Sequence, residues 1–183
     1  MRLIETEIPA VKRVVPSRFG DERGWFSETF RADVLARAGI ADGFVQDNQS
    51  FSAQAGTVRG LHFQTHPAAQ AKLVRVLAGS ILDVAVDLRR GSTSYGRHVA
   101  VRLDAGEGEQ LLVPVGFAHG FCTLEPDTMV AYKVSAYYSR ENDRGLLWND
   151  PEIGIDWPVS AAEAVLSDKD RAAPRLAELE PSF

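Results

Sequence analysis

Apolar residues along this chain recur mostly with a period of two, in short bursts. That alternation sends successive side chains to opposite faces of an extended strand. The bursts run Val58–Gln64, Lys72–Leu77, Ile81–Leu88, His98–Leu103, Gln110–Val113, Gly120–Leu124 and Met129–Tyr138. Between them stand stretches rich in Gly, Ser, Asp and Pro, at 78–80, 90–96, 104–108 and 125–127, which are turn signals. Many short strands at this spacing, with no helical segments between them, predict an all-β antiparallel sandwich or barrel. One segment departs from the pattern. Phe30, Val34, Leu35 and Ala38 fall near helical spacing, with Ser27 as a cap and Gly39 as a stop, predicting a short N-terminal helix over Ser27–Ala38. Met1–Pro16 alternates loosely and ends on proline, as an edge or exchanged strand would. Residues 19–26, with two glycines and bulky aromatics, read as a turn-rich loop. After Pro151 the chain is irregular, with a charged segment at 166–170 and a short amphipathic tail.

Composition narrows the class. At 183 residues the chain is most simply one domain, 1–183, able to close a substantial core. Its 45% apolar share is that of a globular protein, and no apolar run is long enough for a membrane helix. The first residues lack the apolar stretch and cleavage site of a secretory signal. Cys122 is the only cysteine, so no intrachain disulfide forms, and a reducing cytoplasm is expected. A net charge of −5 argues against a nucleic-acid or anionic-membrane surface. It leaves room for a small anion held by a few local Arg and Lys side chains.

The chemistry-bearing residues gather between Thr57 and Val76. By strand alternation Val58, Gly60, His62 and Gln64 share one face, as do Lys72, Val74 and Val76. Gly60 beside His62 would leave space in front of the imidazole. Jelly-roll metal enzymes usually offer two histidines one residue apart, a later carboxylate and a distant third histidine. Residues 114–119, ending in His119, resemble the second half of that pattern. The first half is missing, because Gln64 stands two residues after His62; no metal is expected. His62 is then a candidate general base, histidine being the side chain that ordinarily titrates nearest neutral pH. Such a base needs an orienting partner, and by spacing Asp83, Asp87, Asp168 and Asp170 all fit. Tyr132, in the alternating run 130–134, is a candidate interior acid, and Lys72 a candidate interior cation.

Taken together, several segments resemble the dTDP-4-dehydrorhamnose 3,5-epimerase family across nearly the whole chain. They are Phe19-Gly20-Asp21-Glu22-Arg23-Gly24, Gln46-Asp47-Asn48, Arg59-Gly60-Leu61-His62-Phe63-Gln64, Lys72-Leu73-Val74-Arg75-Val76 and Asp83 through Arg89. The match continues through Pro114–Phe121, Tyr132, Tyr137-Tyr138, Trp148-Asn149-Asp150-Pro151 and Lys169-Asp170. Each motif is weak alone; their common order and spacing make the signal specific.

The resemblance implies a cupin jelly roll, a homodimer with exchanged N-terminal strands, and no cofactor. The implied substrate is dTDP-4-dehydro-6-deoxy-D-glucose, inverted at C3 and C5 to dTDP-4-dehydro-L-rhamnose. By position His62 matches the family's base, Asp170 its carboxylate partner, Tyr132 the acid on the opposite side of the sugar, and Lys72 the cation near the C4 oxygen. Arg23 and Arg59 match diphosphate contacts, and Glu28, Gln46, Asp47 and Asn48 match nucleotide or sugar contacts. His119, Asp143 and Lys169 fall on substrate-binding positions, and Tyr138 on the residue that stacks against thymine. Asp143 stands where some members carry a longer glutamate. The segment before Leu166 varies in length, so Asp168 competes with Asp170 as partner of His62; Asp170 is favoured because it directly follows the matching lysine.

The implied chemistry is self-consistent. Protons at C3 and C5 both flank the C4 ketone, so one cation at that oxygen serves both enolates. No electrons are exchanged, so no redox cofactor is required. The alternatives are an enzyme that inverts a single centre of a related dTDP-4-keto-6-deoxy sugar, and a non-catalytic sugar-nucleotide-binding cupin.

Overall fold

The computed structural model of the chain describes residues 1–37, 39–40 and 43–183. Thirteen strands occur among these: β1 (Arg2–Glu5), β2 (Lys12–Val15), β3 (Arg18–Asp21), β4 (Gly24–Ser27), β5 (Gln46–Ser52), β6 (Val58–Gln64), β7 (Lys72–Ala78), β8 (Ser80–Asp87), β9 (His98–Asp104), β10 (Gln110–Val113), β11 (Phe117–Thr123), β12 (Thr128–Val134) and β13 (Asp143–Gly145). One sheet has the order β1-β2-β10-β7-β12-β5 and a second β13-β6-β11-β8-β9; every pairing within them is antiparallel. This is the antiparallel sandwich that the alternating pattern predicts. Two short helices, α1 (Ala32–Arg37) and α2 (Asp168–Arg171), and a 3-10 turn at Leu176–Glu178 complete it.

The inward faces of both sheets meet in one apolar cluster, including Val74, Val76, Ile81, Leu111, Phe117 and Val130. Burying residues of this size stabilises a fold by about 1.5–3 kcal/mol each relative to exposure. The outer face of the second sheet is apolar too. Leu61, Phe63, Val84 and Val86 there pack beneath Leu146, Ile153 and Leu176 of the C-terminal segment. That packing fixes the tail, and the tail carries α2.

The apolar bursts omit β5 and β13, and the segment 1–16 is two paired strands, with β2 bonded to β10, rather than one edge or exchanged strand. Beyond these, the structure departs from the sequence expectations at three places. Residues 18–27 form the β3–β4 hairpin rather than a loop, and Phe19, Trp25 and Phe26 on it are exposed. Ser27 ends that hairpin, its Oγ donating to Ser17 O at 2.9 Å. The helix accordingly begins at Ala32, not Ser27; Ala38, its expected last residue, lies outside the described residues.

The third departure is in β6. Its register against β11 pairs His62 with His119 but Arg59 with Phe121, one extra residue on the β6 side. Such a bulge resets alternation. Arg59 and His62 therefore line one cavity, while Val58 packs elsewhere, against Cys122 and Trp148. Gly60 does not open space before the imidazole. A Cβ there would lie 2.6 Å from Gly120 Cα and 2.8 Å from His119 O, and its φ is +125°. Glycine serves here for close approach of two backbones.

Candidate active site

Two cavities of about 300 and 230 Å3 open between the sheets and share His62, Lys72 and Tyr132 in their linings. His62 comes from β6 in one sheet; Lys72 and Tyr132 come from β7 and β12 in the other. Anything lying between them is addressed from both walls.

His62 is oriented by one carboxylate. Its Nε2 donates to Asp170 Oδ1 at 2.5 Å, which leaves Nδ1 as the nitrogen free to take a proton. Asp170 is almost wholly buried. Its backbone N–H donates to Ser167 Oγ at 3.2 Å, the N-cap of α2. Burial acts to raise this carboxyl, but the hydrogen bonds from His62 and Ser167 outweigh it and hold Asp170 below the usual carboxylate range. Of the other aspartates considered as partners, Asp83 pairs with His119 and Asp87 with Arg89. Asp168 opens α2.

Lys72 is buried, and its Nζ donates to His62 O at 3.1 Å. Desolvation pulls its ammonium down to about 8, against the opposing pull of the Asp83 and Asp143 carboxylates. At neutral pH it remains cationic by about ten to one. His119 donates through Nε2 to Asp83 Oδ1 at 2.7 Å; burial lowers its titration despite that partner. Burial raises Tyr132, keeping its hydroxyl protonated and able to donate.

The larger cavity also holds Gln46, Asn48, Tyr138, Asp143 and Lys169. Asp143 Oδ2 accepts from Lys169 Nζ at 2.5 Å and from Tyr138 OH at 3.2 Å. Its short side chain is thus engaged by two groups that line the same mouth. Tyr138 lies beyond the end of β12, on a loop held by Gln64, whose Oε1 accepts from Ser139 N and whose Nε2 donates to Tyr137 O. The smaller cavity adds Arg59, His119 and Asp170. Arg59 is steadied by Ser52 Oγ at 3.1 Å and Phe51 O at 2.8 Å.

Three of the expected site residues lie elsewhere in this chain. Arg23 sits on the exposed hairpin and pairs with Asp21. Glu28 pairs with Arg31. Asp47 points to the other face of its strand and pairs with Lys133. The sequence gives Gln64 a place beside His62 but no role in the site, and it does not single out Ser167 or Ser50. The Ser-x-x-Asp spacing of 167–170 is a capping signal that would have found Ser167. Among the described residues no three His, Cys, Asp or Glu side chains gather as metal ligands would; His62 and His119 each hold a single carboxylate instead.

Comparisons with known proteins agree on the family. The sequence pattern of a family described as dTDP-4-dehydrorhamnose 3,5-epimerase matches residues 5–178. A protein of that name from Sinorhizobium fredii is 56% identical over 177 residues, covering 96% of this chain and 90% of that protein. A crystal structure of the enzyme of that name from Bacillus anthracis, with TDP and PPi bound, superposes with a TM-score of 0.92 at 52% identity, covering 95% of this chain and 98% of the other. A dTDP-6-deoxy-D-glucose-3,5-epimerase from Legionella pneumophila, solved with dTDP-4-keto-L-rhamnose, gives a TM-score of 0.93 at 44% identity over 98% and 94% of the two chains.

Proposed function

This chain belongs to the dTDP-4-dehydrorhamnose 3,5-epimerase family, and from that premise we propose that it inverts C3 and C5 of dTDP-4-dehydro-6-deoxy-D-glucose through His62, Lys72 and Tyr132. It is an isomerase of dTDP-rhamnose biosynthesis. The observation that carries the residue roles is the meeting of a carboxylate-oriented imidazole, a buried cation and a tyrosine hydroxyl around one space.

In this reading Nδ1 of His62 removes the proton from C3 or C5, and Asp170 stabilises the imidazolium that results. The electron pair moves to the C4 oxygen, where Lys72 offsets the developing negative charge. Tyr132, on the opposite wall, returns a proton to the other face of the carbon. Positioned proton transfer contributes about a hundred- to ten-thousand-fold, and stabilisation of the enolate oxygen a comparable amount. Holding the nucleotide away from the reacting carbons sets their geometry. Gln46, Asn48, Arg59, Asp143 and Lys169 are the polar groups suited to that, with the exposed ring of Tyr138 as a stacking surface for the base.

Arg23, on the β3–β4 hairpin, and Glu28, just after it, line neither cavity of their own chain. The exposed Phe19, Trp25 and Phe26 beside them support a homodimer in which each hairpin reaches the other copy's cleft. Cytoplasmic work on a nucleotide sugar fits the single, buried thiol of Cys122. No helix among the described residues is long and apolar enough to cross a membrane.

The test is turnover of the dTDP ketosugar in deuterated water. Deuterium at both C3 and C5 is expected. Deuterium at one carbon only would reduce the reaction to a single inversion, and none at all would reject the proposed chemistry.

A further inference from the structure

Strand β5 turns Gln46, Asn48, Ser50 and Ser52 toward the interior and the residues between them toward solvent. Three of the four inward side chains are engaged. Gln46 Nε2 donates to Asn48 Oδ1 at 2.8 Å, and Ser52 Oγ accepts from Arg59 Nε at 3.1 Å. Ser50 Oγ is buried and has no hydrogen-bond partner among the described residues; Asp83 Oδ2 is the only other buried side-chain atom of which that holds. Buried hydroxyls are normally paired, and one left alone at a cavity wall calls for a partner that arrives with the ligand.

Its position says which part of the ligand. Ser50 lines the same cavity as His62, Lys72, His119 and Tyr132. On the sheet wall it stands opposite Val130, one pleat beyond Asn48, which is opposite Tyr132. Two residues of strand cover about 7 Å, so a single pyranose can touch Tyr132 and Ser50 together. The oxygens of that sugar are not equivalent. The C1 oxygen carries the diphosphate, the C4 oxygen is the ketone that Lys72 addresses, and the C3 hydroxyl changes face during the reaction. The ring oxygen only accepts and adjoins C5, which inverts, so the C2 hydroxyl is the one free, stationary group able both to donate and to accept.

We propose that Ser50 is a specificity-determining contact whose Oγ hydrogen-bonds the C2 hydroxyl of the hexose. This rests on the epimerase reading and adds a residue to it. A hydroxyl can both donate and accept, so Ser50 holds the C2 hydroxyl in either orientation. It distinguishes sugars that keep this hydroxyl from those that lack it, because an unpaired buried partner is penalised on whichever side it remains.

The experiment compares wild type and Ser50→Ala on the dTDP ketosugar and on its 2-deoxy analogue, with dTDP binding measured alongside by calorimetry. Ser50→Ala is expected to lower kcat/KM for the full substrate about five- to twentyfold. It should leave dTDP affinity within about twofold of wild type and should not lower kcat/KM for the 2-deoxy substrate, which gains wherever wild type leaves the Ser50 hydroxyl unpaired. Equal losses on both sugars would show a general packing role and overturn the contact. A parallel loss of dTDP affinity would place the hydroxyl on the diphosphate and overturn it as well, as would no change anywhere. If the wild type itself fails to turn over the ketosugar, the epimerase reading fails and this contact with it; a defect confined to Ser50→Ala leaves that reading intact.

Discussion

Replacing Lys72 with methionine should make the protein more stable and nearly inactive. The ammonium of Lys72 is buried between the sheets, and its titration falls from 10.5 to about 8 because burial strips its water. At about 1.4 kcal/mol per tenfold change in proton affinity, that displacement costs the folded chain about 3 kcal/mol at neutral pH. The folded value lies below that of the free side chain, so between about pH 8 and 10.5 the unfolded chain binds the extra proton. Stability therefore rises with pH across that window as the penalty is relieved. Methionine keeps the apolar stem and removes the charge. Lys72→Met should unfold at higher urea than wild type at pH 7, by about 2–3 kcal/mol, and the difference should shrink toward zero above pH 10.5. Tryptophan fluorescence at matched protein concentration reads this through the buried Trp148. Epimerisation should fall a hundredfold or more, because the enolate oxygen loses its cation. In wild type the rate should decline as pH rises through about 8. A variant less stable than wild type at pH 7, or a stability difference that stays flat with pH, would refute the reasoning.

Three further substitutions test other parts of the site. His62→Ala should abolish deuterium entry at both carbons while dTDP affinity, measured by calorimetry, stays within about twofold; exchange surviving at one carbon would mean that a second base serves it. Tyr132→Phe should lower kcat about a hundredfold with little change in KM, and a pure KM effect would assign the hydroxyl to binding. Gly60→Ala should lower Tm by more than about 5 °C and impair turnover, since its Cβ would meet the backbone of residues 119–120 at φ +125°. A thermal scan matching wild type would show that β6 and β11 can part without cost.

The strands were largely legible because alternation and turn residues are local signals. Val58–Gln64 and Gln110–Val113 match the observed limits at both ends. What misled was also local. Ser27 has the chemistry of a helix cap, yet its hydroxyl is spent inside a hairpin. Gly20 and Gly24 look like loop residues although the strands around them pair from Arg18 to Ser27. Strict alternation through β6 failed because the bulge at Gly60 depends on β11, which lies far away in sequence. The pairing of His62 was undetermined by spacing among four aspartates, since only the course of the tail brings Asp170 rather than Asp83 to it. Lys72 reads equally as a rim lysine until two sheets are stacked over it. The orphan hydroxyl of Ser50 is invisible in sequence for a similar reason: Ser52, two residues on, is satisfied only by Arg59 of another strand, and nothing local shows that Ser50 is not.

The base and the acid that orients it are 108 residues apart, and they join through a segment held to the sandwich by a few separate backbone contacts. Val165 lies beside Thr57, Pro174 O accepts from Leu147 N, and Asp150 holds the Leu176 N–H. A freshly made chain can thus complete both sheets while still lacking a working imidazole. Turnover therefore depends on the docking of residues 165–176 as well as on the two sheets, so activity reports on that docking where strand content alone would not.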